Sequence, residues 1–298
     1  MSSTPMPAPC RPRRGWTWTR PRSTRSTRTS PDPMALTPDF ESFARGYAAG
    51  QNQLVSMRLA ADLDTPVSLM LKLAGARKDS FMLESVTGGE VRGRYSVVGL
   101  KPDLVWRCDG ATSEINRAAR FDPDAFEPVE ADPLTAIRAL IAESRIEMPA
   151  DLPPISAGLF GYLGYDMARL VEHLPGVNPD PLGLPDAVLM RPSVVAVLDG
   201  VKGEVTVVSP AWVTSGLEAR AAYNQAAERV MDAVRDLDRA AVAEGREMDG
   251  AAITLPEPVS NFSKDAYLGA VDKAKEYIRA GDIFQVVPSQ RWAQDFPL

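Results

Sequence analysis

Histidine and cysteine are nearly absent from this chain of 298 residues. One histidine, His173, leaves no multi-histidine metal site to build and makes a histidine-based catalytic triad a poor expectation. Two cysteines, Cys10 and Cys108, give neither a disulfide framework nor zinc-ligand spacing, and that usage suits a reducing compartment. No apolar run approaches the ~18 residues of a membrane span. No pair of carboxylates falls at a spacing that argues for a metal or acid/base site, so neither catalytic nor metal-ligating residues are assigned. The 45% apolar and 24% charged residues that remain describe a globular protein with a sizeable core.

Charge is uneven. Residues 1–33 hold seven arginines and one acid, Asp32, a net +6, so the rest of the chain carries −12. An acidic body argues against nucleic acid as its main partner. The tail "CRPRRGWTWTRPRSTRSTRTSPDP" has no period and reads as disordered. The favoured reading is a start codon placed too early, with Met34 the true start. A transit peptide or a nucleic-acid arm are the alternatives.

Beyond the tail the pattern is mixed. Phe40, Phe43 and Tyr47 predict a helix, with Thr37 as its cap and Pro38 in its first position. "LVSMRLA" predicts a strand. "DTPVSLMLKLAG" predicts a helix capped by Thr65 and closed at Gly75. "DPLTAIRALIAESRI" predicts another, capped by Asp132, with Leu134, Ile137, Leu140 and Ile141 on its buried face. "ISAGLFGYLGYDMARLVEHLP" begins as a strand and turns helical near Asp166. "AVLMRPSVVAVLDG" and "GEVTVVS" predict a hairpin around Asp199-Gly200. A long Ala-rich helix runs from Leu217 to about Glu244, and residues 248–262 read as a boundary loop. Ser263 opens a helix striped by Tyr267, Val271, Ala274 and Ile278, and "DIFQVVPSQRW" predicts a strand after it. Antiparallel pairs interspersed with helices favour α+β over a doubly wound parallel sheet.

Two motifs need weighing. Gly158, Gly161 and Gly164 lie in a strand, not at a strand-to-helix phosphate turn, so close backbone approach explains them better than a phosphate cradle. His173 reads as a helix-end or surface residue. The segment "FMLESVTGGEVRGRYSVVGL" is a predicted hairpin in which Phe81, Leu83 and Ser85 share one face and Met82 and Glu84 the other. Ser85, Arg94 and Ser96 offer donors for a carboxylate, and Glu84 an acceptor for an ammonium. On chemistry alone, a structural hairpin with a polar rim competes with a clamp for a free amino acid and is favoured.

Three segments in order, "FMLESVTGGEVRGRYSVVGLKP", "GLFGYLGYDMARLVEHLP" and "SKDAYLGAVDKAKEYIRAGDIFQVVPSQRW", closely resemble the large subunit (component I) of anthranilate synthase, of the chorismate-utilising family. The resemblance runs from about Phe40 to the last residue. It implies an α+β fold of orthogonally packed antiparallel sheets with surrounding helices. Residues 34–255 then form the N-terminal region, and 256–298 the beginning of the chorismate-binding catalytic domain. The implied reaction is a lyase reaction in the cytoplasm, converting chorismate to anthranilate and pyruvate. It uses Mg²⁺ and ammonia from a glutamine amidotransferase partner (component II), with L-tryptophan as feedback inhibitor. The resemblance further implies a tryptophan pocket walled by Leu83, Glu84 and Ser85, with Arg94, Tyr95 and Ser96 as a second wall. It places the Mg²⁺ ligands and catalytic groups beyond the end of the chain, which makes the chain a fragment expected to be inactive alone. Component I of aminodeoxychorismate synthase, from folate biosynthesis, is the nearest alternative. A non-enzymatic tryptophan-binding fragment is the alternative of another class.

Overall fold

A computed structural model describes residues 35–75, 77–85, 93–176, 179–180, 182–239 and 255–295. The Arg-rich tail, the tip of the Phe81–Leu100 hairpin and the far end of the predicted Ala-rich helix lie outside the described residues. The chain divides into two compact units, Met1–Val242 and Ala243–Leu298.

The first unit is built on one antiparallel sheet. Its strands are β1 (Gln53–Ala60), β2 (Phe81–Leu83), β3 (Tyr95–Asp109), β4 (Thr112–Asn116), β5 (Glu127–Val129), β6 (Phe160–Leu163), β7 (Ala187–Asp199) and β8 (Glu204–Ala211). The order is β1-β8-β7-β3-β4-β5, with β2 added to β3 and β6 added to β7. The long strands β3 and β7 pair along nearly their whole length, and the register shifts between Pro102 and Leu104. Lys101, beside the shift, has a left-handed backbone (φ 53°). A bulge bends a strand and increases its twist, so each long strand changes neighbours there. Before the bulge β3 carries β2 on its free side, and after it β4. In the same way β7 carries β6 on one half and β8 on the other.

Both faces of this sheet are covered, which is why the central strands read as continuous apolar runs. Val194, Ala196 and Leu198 face a core shared with Val98, Leu100, Val205 and Val207. The helices α1 (Phe40–Ala48), α2 (Pro66–Leu73) and α4 (Ala219–Leu237) supply the other side of that core. Ala222, Ala226, Val230 and Ala233 make the buried face of α4, and small side chains let the helix lie close on the strands. The alternate residues Val195 and Val197 face the other way, beneath Phe81, Tyr95 and Ile155. Past the bulge, α3 (Pro133–Glu143) packs Ala136 and Leu140 against Leu104, Trp106 and Cys108. Burying a side chain the size of Leu104 or Leu140 contributes about 1.5–3 kcal/mol. Burial also pushes the Cys108 thiol up.

Local chemistry agrees with most of the predicted boundaries. Thr65 and Ser68 form a reciprocal capping box ahead of Pro66, and Asp132 caps α3. Two details differ. The cap of α1 is Asp39, whose carboxylate accepts from the Ser42 amide, because Thr37 is engaged in a β-bridge with Ser56. Ile141 of α3 is half exposed, since the buried stripe turns through Pro133, Ala136 and Leu140.

The second unit holds β9 (Val259–Ser260), α5 (Lys264–Ala280) and β10 (Trp292–Ala293), with β9 and β10 paired antiparallel. Ser263 caps α5 and Gly281 closes it in the left-handed region (φ 84°). Tyr267, Val271 and Ala274 are half-buried, while Ile278 is exposed. The strand predicted over "DIFQVVPSQRW" is not formed: only Trp292 and Ala293 pair. A strand needs a ladder partner; Arg291 exchanges bonds with Asn261 at the edge of the β9–β10 pair, and among the described residues 282–290 pair with no strand. Pro288 also removes a donor from that segment.

Candidate functional site at the β2–β3 hairpin

The register of the hairpin sets its two faces. Phe81 lies opposite Gly99, Met82 opposite Val98 and Leu83 opposite Val97. Gly99 is required there, because any side chain would strike the Phe81 ring. Met82 therefore points into the large core, whereas Phe81 joins the opposite face and stacks on Phe160 at 4.5 Å between ring centroids. The faces agree with the alternation expected from sequence. Among the described residues β2 pairs only with β3, so its outer edge presents free backbone donors and acceptors.

The six residues expected in the amino-acid clamp are brought to one end of this hairpin. The Ser85 amide donates to Ser96 Oγ at 3.1 Å. Ser96 is buried, Ser85 half-buried, and Leu83 and Glu84 exposed. The Ser85 hydroxyl has no partner among the described residues. Arg94 lies over the Tyr95 ring at 5.0 Å, and its guanidinium grips Asp199 with two bonds, Nε to Oδ1 at 2.9 Å and Nη2 to Oδ2 at 2.6 Å. Arg94 thus ties the hairpin to the β7–β8 turn, which is a positioning role. Asp199 also accepts from the Val201 and Lys202 amides, and the Arg94 guanidinium holds its carboxyl below the usual range.

Sequence reasoning missed Asp199, Phe160 and Ile155 at this end of the sheet. Asp199 carried a signal only as a turn residue in Asp-Gly. Close backbone approach explains two of the three motif glycines; β6 holds only Gly161, with Gly158 and Gly164 outside it, and Gly158 has open space around it. A side chain at Gly161 (φ 154°) would collide with the Val188 carbonyl, and one at Gly164 would press on the Asp186 carbonyl, which already accepts from the Gly164 amide at 2.7 Å. His173 is exposed, just past the 3-10 turn Tyr165–Leu170. Among the described residues no group of three or more His, Cys, Asp or Glu could hold a metal ion. Among them, too, no helix is long and apolar enough to cross a membrane.

Comparison with known proteins adds the following. The chain is 77% identical over 259 residues to anthranilate synthase component 1 of Cereibacter sphaeroides, covering 87% of this chain and 51% of that protein. It is 37% identical over 264 residues to the Pseudomonas putida protein of the same description, covering 86% and 51%. With the Thermus thermophilus protein, also so described, it shares 39% identity over 232 residues, covering 78% and 45%. The crystal structure of anthranilate synthase component I from Streptococcus pneumoniae TIGR4 aligns with a TM-score of 0.47 at 20% identity, over 75% of this chain and 46% of that one. The chain spans about half the length of the curated relatives it matches. The model of the family described as chorismate binding enzyme matches residues 83–298, from Leu83 of the hairpin onward. The chain therefore belongs to the chorismate binding enzyme family, as an anthranilate synthase component I-like member.

Proposed function

We propose that this chain is the N-terminal part of an anthranilate synthase large subunit, a lyase that converts chorismate and ammonia to anthranilate and pyruvate. The 77% identity to the Cereibacter sphaeroides protein carries this reading. Glutamine, through an amidotransferase component II, is the ammonia source, and the product feeds tryptophan biosynthesis in the cytoplasm. Residues 34–255 are the N-terminal region, and the catalytic domain begins at 256. Mg²⁺ supplies charge neutralisation for the substrate carboxylates in this reading. The residues described here offer it no ligand set, so none of them is given a step through it.

The part of the function we assign to named residues is regulatory. The β2–β3 hairpin is the wall of a tryptophan feedback site. Ser85 donates its hydroxyl to the ligand carboxylate, Glu84 accepts from the ammonium, and Leu83 lies against the side chain. Tyr95 and Ser96 form the second wall. Arg94 holds that wall through Asp199. Support comes from the Ser85 hydroxyl and the β2 edge, neither of which has a further partner among the described residues, and from the exposed Glu84 side chain. The test is to supply the full-length gene product with chorismate, ammonium and Mg²⁺ and to follow anthranilate fluorescence as tryptophan is added. Anthranilate formation that tryptophan suppresses is expected. Aminodeoxychorismate as the sole product would overturn the assignment, and anthranilate formation indifferent to tryptophan would overturn the regulatory part.

A further inference from the structure

A second concentration of chemistry lies away from the hairpin, where α4 crosses β8. A cavity of about 240 Å³ opens there, lined by Asp103, Arg117, Arg120, Trp212 and Arg229 among others. Three arginines face one carboxylate, an excess of two positive charges in a chain whose net charge is −6. Of the acids nearby, Asp103 and Glu143 are already engaged, while Glu228, next to Arg229 on α4, only partly offsets the cost of its burial. Both Asp103 oxygens accept from Arg191 at 2.9 Å. Glu143, just behind, binds Arg117 through two bonds of 2.8 Å and Arg191 through one of 3.0 Å.

Arg229 and Arg120 are left over. Arg229 donates Nε to Ser209 Oγ and Nη2 to the Pro210 carbonyl, both at 2.8 Å. Those acceptors are neutral, and Nη1 has no partner among the described residues. Arg120 stacks loosely on Phe121 at 5.8 Å and meets no carboxylate among the described residues. Burial, and secondarily repulsion from Arg120, push the Arg229 guanidinium down to about 10. A half-buried cation facing a like charge across open space is costly unless an anion joins them. Guanidinium pairs match oxyanions in geometry as well as charge. The volume is below the ~300–1,000 Å³ of drug-sized pockets, so the ligand is small.

We propose that this cavity binds a small dianion, a phosphate or dicarboxylate group, between Arg229 Nη1 and Arg120. The site uses none of the hairpin residues and does not depend on the function proposed above. The probes are inorganic phosphate and malonate, titrated into the full chain against chloride at matched ionic strength, with melting temperature as readout. A saturable rise with either probe is expected, and the probe that binds more tightly distinguishes phosphate from carboxylate chemistry. Each lost charge-assisted contact corresponds to roughly ten- to a hundred-fold in affinity. Arg120→Gln, at an exposed position, should therefore weaken the response at least about tenfold without unfolding the chain, and Arg229→Gln at least as much. Arg138→Gln, on the exposed face of α3 outside the cavity, should leave it unchanged. No rise beyond chloride, or equal responses from Arg120→Gln and Arg138→Gln, would overturn the site.

Discussion

Replacing Asp199 by Asn keeps the shape of the β7–β8 turn and removes only the charge that Arg94 grips. Two charge-assisted bonds are lost, each worth about 1.5–3 kcal/mol when fully sheltered. Solvent reaches part of both groups, with side-chain exposures of 25% for Arg94 and 13% for Asp199, which reduces the sum to about 2–3 kcal/mol. For a unit of this size that is a fall of roughly 5–10 °C in melting temperature. The pH dependence gives a sharper check. The folded Asp199 carboxyl is depressed, first by the Arg94 bond and then by the turn amides. Its contribution is therefore fully present above the unfolded value of about 3.9 and is lost as pH falls through the lower folded value. The gap between the parent and Asp199→Asn should be full at pH 7 and shrink below about pH 4. Melts of Asp199→Asn, Arg94→Met and the double variant measure the coupling. Equal melting temperatures at pH 7, a gap that does not change with acid, or additive single effects would refute the reasoning.

Ser85→Phe in the full-length enzyme should raise the tryptophan concentration for half-inhibition about ten- to a hundred-fold while sparing uninhibited turnover; inhibition curves with and without the substitution decide it. Gly161→Ala should cost about 2–4 kcal/mol, because the methyl meets the Val188 carbonyl at a backbone angle L-residues avoid, and a thermal melt would show it. Thr65→Ala removes half of a capping box and should cost about 1 kcal/mol in denaturant unfolding, whereas Thr65→Asp should restore most of it.

Elements with a local cause were legible in the sequence. Thr65-Pro66, Asp132-Pro133 and Ser263 each satisfy their own helix starts, and Asp199-Gly200 makes its own turn. The alternation of Phe81 to Leu83 predicted the correct faces, because period two is a property of the backbone rather than of its partner. Where a partner decides, the reading failed. "DIFQVVPSQRW" has the composition of a strand, but strand formation is a pairing event, and only Trp292 and Ala293 find a ladder. Thr37 has the chemistry of a cap and is drawn instead into a bridge with Ser56.

The same distinction applies to the charged side chains. Arg94 in sequence is a free donor two residues from a serine, and chemistry alone makes it a ligand hand. Its partner Asp199 stands 105 residues away, and closing that distance turns the donor into a strut. Arg229 shows the converse. In sequence it is one charge among many on a long Ala-rich helix. In the fold its neighbours are Ser209 and Pro210, and the nearby carboxylates Asp103 and Glu143 are occupied by other arginines. Whether an arginine is structural or available is therefore settled by how many carboxylates converge on it. That number is fixed by the register of β3 against β7 and by the placement of α4, neither of which a single residue's neighbours encode. By this count Arg191 is saturated, bonded to Asp103 and Glu143, whereas Arg229 bonds only neutral oxygens among the described residues and keeps Nη1 available.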